Sequence, residues 1–552
     1  MSAARSESGG RVGPKAAVTG TRAVASSQHP LVTDFMMDVM ADGGNAADAA
    51  IVGALVHGVV QQEMTNYTGT ISFLYYDAEA GQTHELNSWG TIVPELPPFR
   101  PVQGSHGDLC EAGQEPFAVI PGFMPGLKAL YERFASKPWE YLCQPAIRCA
   151  QEGHVVTSLE HRVLATEVPL FLYTPSGREH FTPGGHLPQV GDRWPKPALA
   201  KTLAKVAKEG PDHFITGEWA QHFIERSQEL GWPIESRHMS ANPPRWGHGT
   251  RYEHRGHEIV QLSPPETQAV RCSMVLGILS ELGVPEMGHW SESAEALYFL
   301  SHALRRARFE TGFVNDPALF SVPMDILMSS DYHRLLAGIL RDSRPKVNLT
   351  NHFKITAGHK LQAAGPIPHP PAGSCELSLV DPEGNWMQMM NTLQSGGIPG
   401  EVVDGVPMVG SHCKADMSSW LGGWFVEGGR MRGPMGNTFV LKDGKPWLSL
   451  GTPGTLWATV VQVLANILDY GMDPVQAIDA PRLLELGDDY QVQVESRLST
   501  RVVGELAAMG ILVDPLEAYN WHLGSFQMSW RGSDGALHGA TDPRRAGKAA
   551  AI

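Results

Sequence analysis

The sequence predicts an α+β fold of packed layers. Helix-like periodicity dominates residues 120–235, two hairpin signals follow residue 373, and helices and strands otherwise alternate without a regular pattern. That mixed order fits helices layered on sheets better than a βαβ repeat. Residues 1–15 are charged and lack an apolar pattern, and read as a disordered N-terminus. A short apolar run begins at Ala16, and a helix over 31–40 ends at Asp42-Gly43-Gly44, where glycine suits the C-cap. Asn45 caps the next helix, AADAAIVGALVHGVV, whose Ala and Gly faces allow close packing on a sheet. Residues 71–77 (ISFLYYD) read as a buried strand, with a turn at Glu79-Ala80-Gly81 and a partner strand over 83–88. Helical spacing continues at 127–134, 141–151, 197–208, 266–282 and 292–311.

Residues 343–373 break this rhythm with Pro and Gly and read as a linker. Strands over 377–380 and 386–393 follow, joined by Asp381-Pro382-Glu383-Gly384-Asn385. A second hairpin pairs 438–441 with 446–450 through Lys442-Asp443-Gly444-Lys445. Gly451-Thr452-Pro453-Gly454 then leads into a helix over 457–470. There is no internal repeat.

Composition narrows the function. The chain has 552 residues, and 43 Lys+Arg against 58 Asp+Glu give a net charge of −15 without a basic run, which argues against a nucleic-acid partner. No signal or transit peptide pattern opens the chain, and no window reaches the roughly 18 apolar residues of a membrane span, so a cytoplasmic protein without a membrane partner is expected. Six scattered cysteines make neither a disulfide framework nor a CxxC zinc pattern, and the 23 histidines show no HExxH spacing. No metal and no cofactor is expected.

The dipeptide Gly373-Ser374 closes the stretch GPIPHPPAG and opens the strand-like SCELSLVDPEGNWMQMMNT. A turn accounts for such a pair by itself. Cleavage there would instead leave Ser374 with a free α-amine, which titrates near 7.7–8.0 and can take the proton of its own hydroxyl. Nucleophile and base then belong to one residue. Backbone amides at Gly454-Thr455 are candidates for holding the oxyanion, and a plain strand-to-helix connection is the alternative.

Much of the chain, from about Ala16 to Ala550, resembles the γ-glutamyltransferase family of N-terminal-nucleophile hydrolases. The matching stretches keep the family's order: SSQHPLVTDFMMDVMADGGNAADAA near the start, AVIPGFMPGLKALYERF at 118–134, QPAIRCAQEG at 144–153, LSPPETQ at 262–268 and NDPALFSVPMDILMS at 315–329. SLVDPEGN at 378–385, LKDGKPWLSLGTPG at 441–454, LANILDYGMDPVQAIDAPR at 464–482 and GATDPRRAGKA at 539–549 complete the series. The family's Thr-Thr-His-x-Ser-Val-Val-Asp, aligned on Ser378-Leu379-Val380-Asp381, puts Ser374 at the nucleophilic Thr, with Cys375 and Glu376 replacing the second Thr and the His. The later Thr that hydrogen-bonds the nucleophile falls on Thr392, and the Gly-Gly oxyanion pair on Gly454-Thr455.

The departures fall in the family's substrate pocket. Its carboxylate-binding Arg becomes Gly90 in Trp89-Gly90-Thr91-Ile92-Val93-Pro94, and its Ser-Ser pair becomes Gly433-Pro434. Its ammonium-binding Asp pair becomes Ser418-Ser419, and the Asn beside the second Thr becomes Gln394. Such a head group needs its charges paired when buried, so these losses predict that a γ-glutamyl group is not the substrate. Trp89, Trp420, Met435 and Trp457 lie near the vacated positions and suggest an apolar or aromatic acyl group. The glycine-rich segment after Met64 is also altered, to Thr65-Asn66-Tyr67-Thr68-Gly69-Thr70.

The resemblance implies a four-layer αββα fold and a precursor cut at Gly373–Ser374 into fragments 1–373 and 374–552, which stay intertwined as one domain. It implies a small-molecule amide substrate and an acyl-enzyme on Ser374, and leaves room for a dimer of the processed pair. True γ-glutamyl transfer or glutathione hydrolysis, and an uncleaved binding protein, are the alternatives.

Overall fold

A computed structural model describes residues 12–93, 119–166, 172, 174–344, 373–393, 398, 400–408, 428–486 and 491–552. Two seven-stranded antiparallel sheets form its centre. The first runs Val18–Gly20, Leu537–Thr541, Gln527–Arg531, Lys445–Gly451, Thr438–Lys442, His257–Gln261, Thr250–His254. The second runs Lys548–Ala551, Val24–Ser27, Cys375–Val380, Trp386–Thr392, Thr70–Asp77, Gln82–Ser88, Arg245–Gly247. Strand alternation divides the second sheet's side chains between two cores. Ile71, Phe73, Tyr75, Leu377, Leu379, Met387 and Met389 pack with helices Pro30–Ala41, Ala46–Val60, Phe123–Phe134, Trp139–Glu152 and Pro197–Glu209. Leu74, Tyr76, Val380, Trp386 and Met390 face the first sheet and join the core beneath helices Gln268–Leu282, Ala294–Glu310, Ser330–Ser343 and Leu456–Leu468. The layers are helix, sheet, sheet, helix, as the family resemblance implied.

Local chemistry explains the elements that position the site. Asn45 closes a capping box with Asp48 at the start of the buried helix Ala46–Val60. Asp381, in the turn between Cys375–Val380 and Trp386–Thr392, accepts from the Ala46 amide at 2.8 Å and from the Asn385 amide at 2.8 Å, tying that hairpin to the helix start. Polar side chains also meet between the sheets, beside that apolar core. Ser378 Oγ lies 3.1 Å from Ser449 Oγ and 3.0 Å from Ser529 Oγ, linking the two sheets directly.

Boundaries moved where tertiary contacts decide them. The helix expected from residue 266 begins at Gln268, because Glu266 bridges to Gly433 instead. Helix Phe123–Phe134 starts four residues before the periodic stretch, and Leu456–Leu468 ends two residues short of 470. Several strands carried no sequence signal, among them Thr250–His254, Gln527–Arg531 and Lys548–Ala551. They are short; Gln527–Arg531 and Lys548–Ala551 pair with the distant strands Lys445–Gly451 and Val24–Ser27, while Thr250–His254 forms a local hairpin with His257–Gln261. Residues 345–372 of the expected linker and residues 1–11 lie outside the described residues. Among the described residues no helix is long and apolar enough to cross a membrane, and no cluster of three His, Cys, Asp or Glu suits a metal ion.

Candidate active site

Ser374 sits at the entrance to strand Cys375–Val380 and is buried. Cys375 pairs with Asn391 in antiparallel register, so one residue further Ser374 stands against Thr392. Two hydroxyls meet on one oxygen there. Ser374 Oγ donates to the Gly373 carbonyl at 2.6 Å, and Thr392 Oγ1 donates to the same carbonyl. In the uncut chain Thr392 therefore engages the peptide bond before the nucleophile, where the resemblance implied a hydrogen bond to the nucleophile itself. The carbonyl of Ser374 accepts from Gln28 Nε2 at 2.7 Å and Arg545 Nη1 at 3.5 Å.

The turn at Gly454-Thr455 is held by His522. The Thr455 amide donates to the His522 carbonyl at 3.0 Å, and its hydroxyl reaches the same oxygen at 3.0 Å. In the uncut chain the Thr455 amide is thus engaged by His522. The turn is tied toward Ser374 by neighbouring links, since Arg545 Nε also donates to the Trp521 carbonyl at 3.2 Å.

The positions expected to bind substrate are partly brought together. A side-chain carbon added at Gly433 would lie 2.4 Å from the Trp89 indole, so the ring occupies the space that a serine side chain would need. Gly90 adjoins the same segment, its carbonyl accepting from the Met431 amide at 3.0 Å. Trp89 Nε1 donates to Glu266 Oε1, which also receives Asn87 Nδ2 at 3.2 Å, while Glu266 Oε2 accepts the Met435 amide at 3.1 Å. Burial pushes the Glu266 carboxyl well above the usual range, against these donors. Trp89 and Met435 share a buried cluster that Trp457 flanks, with Pro434 between Gly433 and Met435 in the chain. Gln394, Ser418, Ser419 and Trp420 lie outside the described residues.

Sequence reasoning missed Glu266, Gln28 and Arg545, although LSPPETQ, SSQHPLVTDFMMDVMADGGNAADAA and GATDPRRAGKA had marked all three stretches. It also missed a charged cluster on the helix side of the sheet. His154 Nε2 lies 2.8 Å from Glu160 Oε1, and Lys196 Nζ donates to the Val59 carbonyl at 2.9 Å and approaches His154 Nδ1 at 3.4 Å. Burial draws the Lys196 ammonium down to about 8, with Glu160 and Glu63 opposing. Against the burial that would raise it, His154 and Lys196 hold Glu160 below the usual range.

A gamma-glutamyltranspeptidase family model matches residues 33–408 and 423–552. The chain is 24% identical to the glutathione hydrolase proenzyme of Escherichia coli (strain K12), over 96% of this chain and 91% of that protein. It is likewise 24% identical to the acylase ACY 1 proenzyme of Pseudomonas sp. (strain SE83), over 98% and 95%. Cephalosporin acylase from Bacillus halodurans superposes with a TM-score of 0.81 at 22% identity, over 98% of this chain and 97% of that one, which shows a shared fold. The chain belongs to the gamma-glutamyltranspeptidase family and is a hydrolase acting on carbon–nitrogen amide bonds.

Proposed function

We propose that this chain is a proenzyme that cuts itself at Gly373–Ser374 and then hydrolyses amides without a γ-glutamyl group through an acyl-enzyme on Ser374. The convergence of the Ser374 and Thr392 hydroxyls on the Gly373 carbonyl carries the reading. In processing, Ser374 Oγ attacks the Gly373 carbonyl carbon while Thr392 stabilises the developing oxyanion. The C–N bond breaks, the hydroxyl proton passes to the Ser374 nitrogen, and water hydrolyses the resulting ester to a Gly373 carboxylate. The strands support products that stay together, because Cys375–Val380 lies between Val24–Ser27 and Trp386–Thr392.

In turnover the freed α-amine takes the Ser374 hydroxyl proton as Oγ attacks the substrate carbonyl. Gly454 supplies an oxyanion donor. The protonated amine then gives its proton to the leaving amine, and water resolves the acyl-enzyme to a carboxylic acid. The packed Trp89–Gly433 contact and the glycine at position 90 support a substrate whose acyl group lacks the α-amino acid head. A few kcal/mol for each unpaired buried charge suffices to exclude that head.

Intact mass and N-terminal sequencing of purified protein test the processing. Two fragments, the smaller beginning at Ser374, are expected, and one intact chain from the Ser374→Ala variant. A wild type that stays whole overturns the reading. Robust turnover of γ-glutamyl-p-nitroanilide, against none of aryl or alkyl acyl anilides, overturns the substrate assignment alone.

A further inference from the structure

Glu376 stands where the family resemblance places a histidine, two residues beyond Ser374 on the same face of the strand. It is fully buried between the sheets. Its Oε1 accepts from Gln388 Nε2 at 2.5 Å and Asn437 Nδ2 at 3.3 Å. Asn437 Nδ2 also reaches the Gln388 carbonyl at 2.9 Å, and Ser449 donates to Gln388 Oε1. The backbone of Gly451 rests directly on the carboxyl: a carbon added there would lie 2.1 Å from Glu376 Oε1 and 2.5 Å from Gln388 Nε2. One carboxyl thus meets the nucleophile's strand, the strand that carries Thr392, the end of Lys445–Gly451 leading to Gly454, and Asn437, which continues the Gly433 segment.

We propose that Glu376 is a positioning residue that registers Ser374 against the Gly454 turn and the Gly433 segment, and that this registration governs self-processing and turnover. The inference rests on the processing reading above. Its hydrogen-bonding partners are amides, and among the described residues Glu376 Oε2 has no partner. Burial pushes this carboxyl well above the usual range, against the Gln388 hydrogen bond. Both hydrogen bonds run from side-chain amides to Oε1 and the Gly451 backbone rests on the same oxygen, so the geometry of the carboxyl does the positioning. Glutamine reproduces that geometry; alanine removes it, and aspartate draws the carboxyl back from Gly451.

The test follows processing of wild type, Glu376→Gln, Glu376→Asp and Glu376→Ala by mass spectrometry, with circular dichroism melts alongside. Because misplacement by about 1 Å can cost ~10²-fold, Ala is expected to slow processing by roughly 30-fold or more and Asp by about tenfold, while Gln stays within about threefold of wild type. In processed material the Asp variant is expected to lower kcat with KM little changed. Wild-type rates in Ala or Asp overturn the inference, as does a Gln variant as slow as Ala, which would mean that the acid proton itself acts. If Ala does not fold, the Asp and Gln rates decide. An unprocessed wild type strikes the proposed function and this inference with it; a processed wild type with unimpaired variants strikes the inference alone.

Discussion

The two faces of strand Cys375–Val380 differ in kind. Toward the first sheet it presents Ser374, on the Gly373 carbonyl, and Glu376 and Ser378, bonded to Gln388, Asn437, Ser449 and Ser529 without a single ion pair among them. Toward the helices it presents Cys375, which accepts from Gln28 Nε2 at 3.1 Å and adjoins Gln61 at 3.5 Å, in a region whose titratable groups include Glu63, Glu160, His154, His29 and Lys196. Neutral hydrogen bonds fix directions and cost little when every group is paired. Buried charges are expensive alone and destabilise when a partner is lost. On the mechanism proposed above, the contrast gives geometry and catalysis to the inter-sheet face, and stability to the helix face.

The largest effect should come from the inter-sheet face. Thr392→Ala removes a donor from the Gly373 carbonyl and is expected to slow self-processing by about 10²–10³-fold, the usual cost of one oxyanion donor. Thr392→Ser should recover most of the rate. Mass spectrometry over time measures both, and an Ala variant that processes at the wild-type rate would break the division of labour between the faces.

On the helix face the expected loss is in stability. Glu160→Gln removes the charge that His154 and Lys196 share, and should lower the unfolding free energy by about 1–3 kcal/mol while processing proceeds at the wild-type rate. Urea titration and mass spectrometry read the two separately. Slowed processing with unchanged stability would reverse the comparison.

His29 sharpens it through pH. Its Nδ1 caps helix Pro30–Ala41 by accepting from the Leu31 amide at 3.3 Å, which requires a neutral ring. Burial draws this imidazole down to about 3, aided by His154 and Lys196 and opposed by Glu160. The unfolded chain binds the proton near 6.5, so this contribution is whole above pH 6.5 and is lost as pH falls from 6.5 toward 3. His29→Asn keeps a capping side chain without titrating. Its stability should fall less than wild type's across that window, and parallel curves would show that His29 contributes nothing to acid sensitivity.

These faces were unequally legible in the sequence. The hairpin around Asp381-Pro382-Glu383-Gly384-Asn385 was readable because turn chemistry is local, and Ser374 and Thr392 followed from motif order. Glu376 was visible as a departure, but its partners Gln388, Asn437 and Gly451 come from three other segments, a juxtaposition that no local pattern encodes. The Thr455 contact was unreadable for the same reason, since its partner His522 lies far along the chain. The charged cluster went unread because Glu63, Glu160 and Lys196 are ordinary surface residue types until folding buries them.

Cys375 gives the smallest predicted effect and the finest discrimination. It follows Ser374 directly and carries the more nucleophilic side chain, so a thiol mechanism is the natural competitor to a hydroxyl one. The structure argues against it on two grounds. The thiol points to the helix face, away from the Gly373 carbonyl that the Ser374 and Thr392 hydroxyls engage. Burial also pushes it well above the usual thiol range, with Glu63 adding to the shift, so the thiolate that a nucleophile requires is disfavoured. A serine hydroxyl fits the same contacts with Gln28 and Gln61, so Cys375→Ser should change stability by about 1 kcal/mol and leave processing and amide turnover at wild-type levels. Unprocessed Cys375→Ser protein with a wild-type melting curve would move the nucleophile to the other face of the strand and overturn the assignment of catalysis to Ser374.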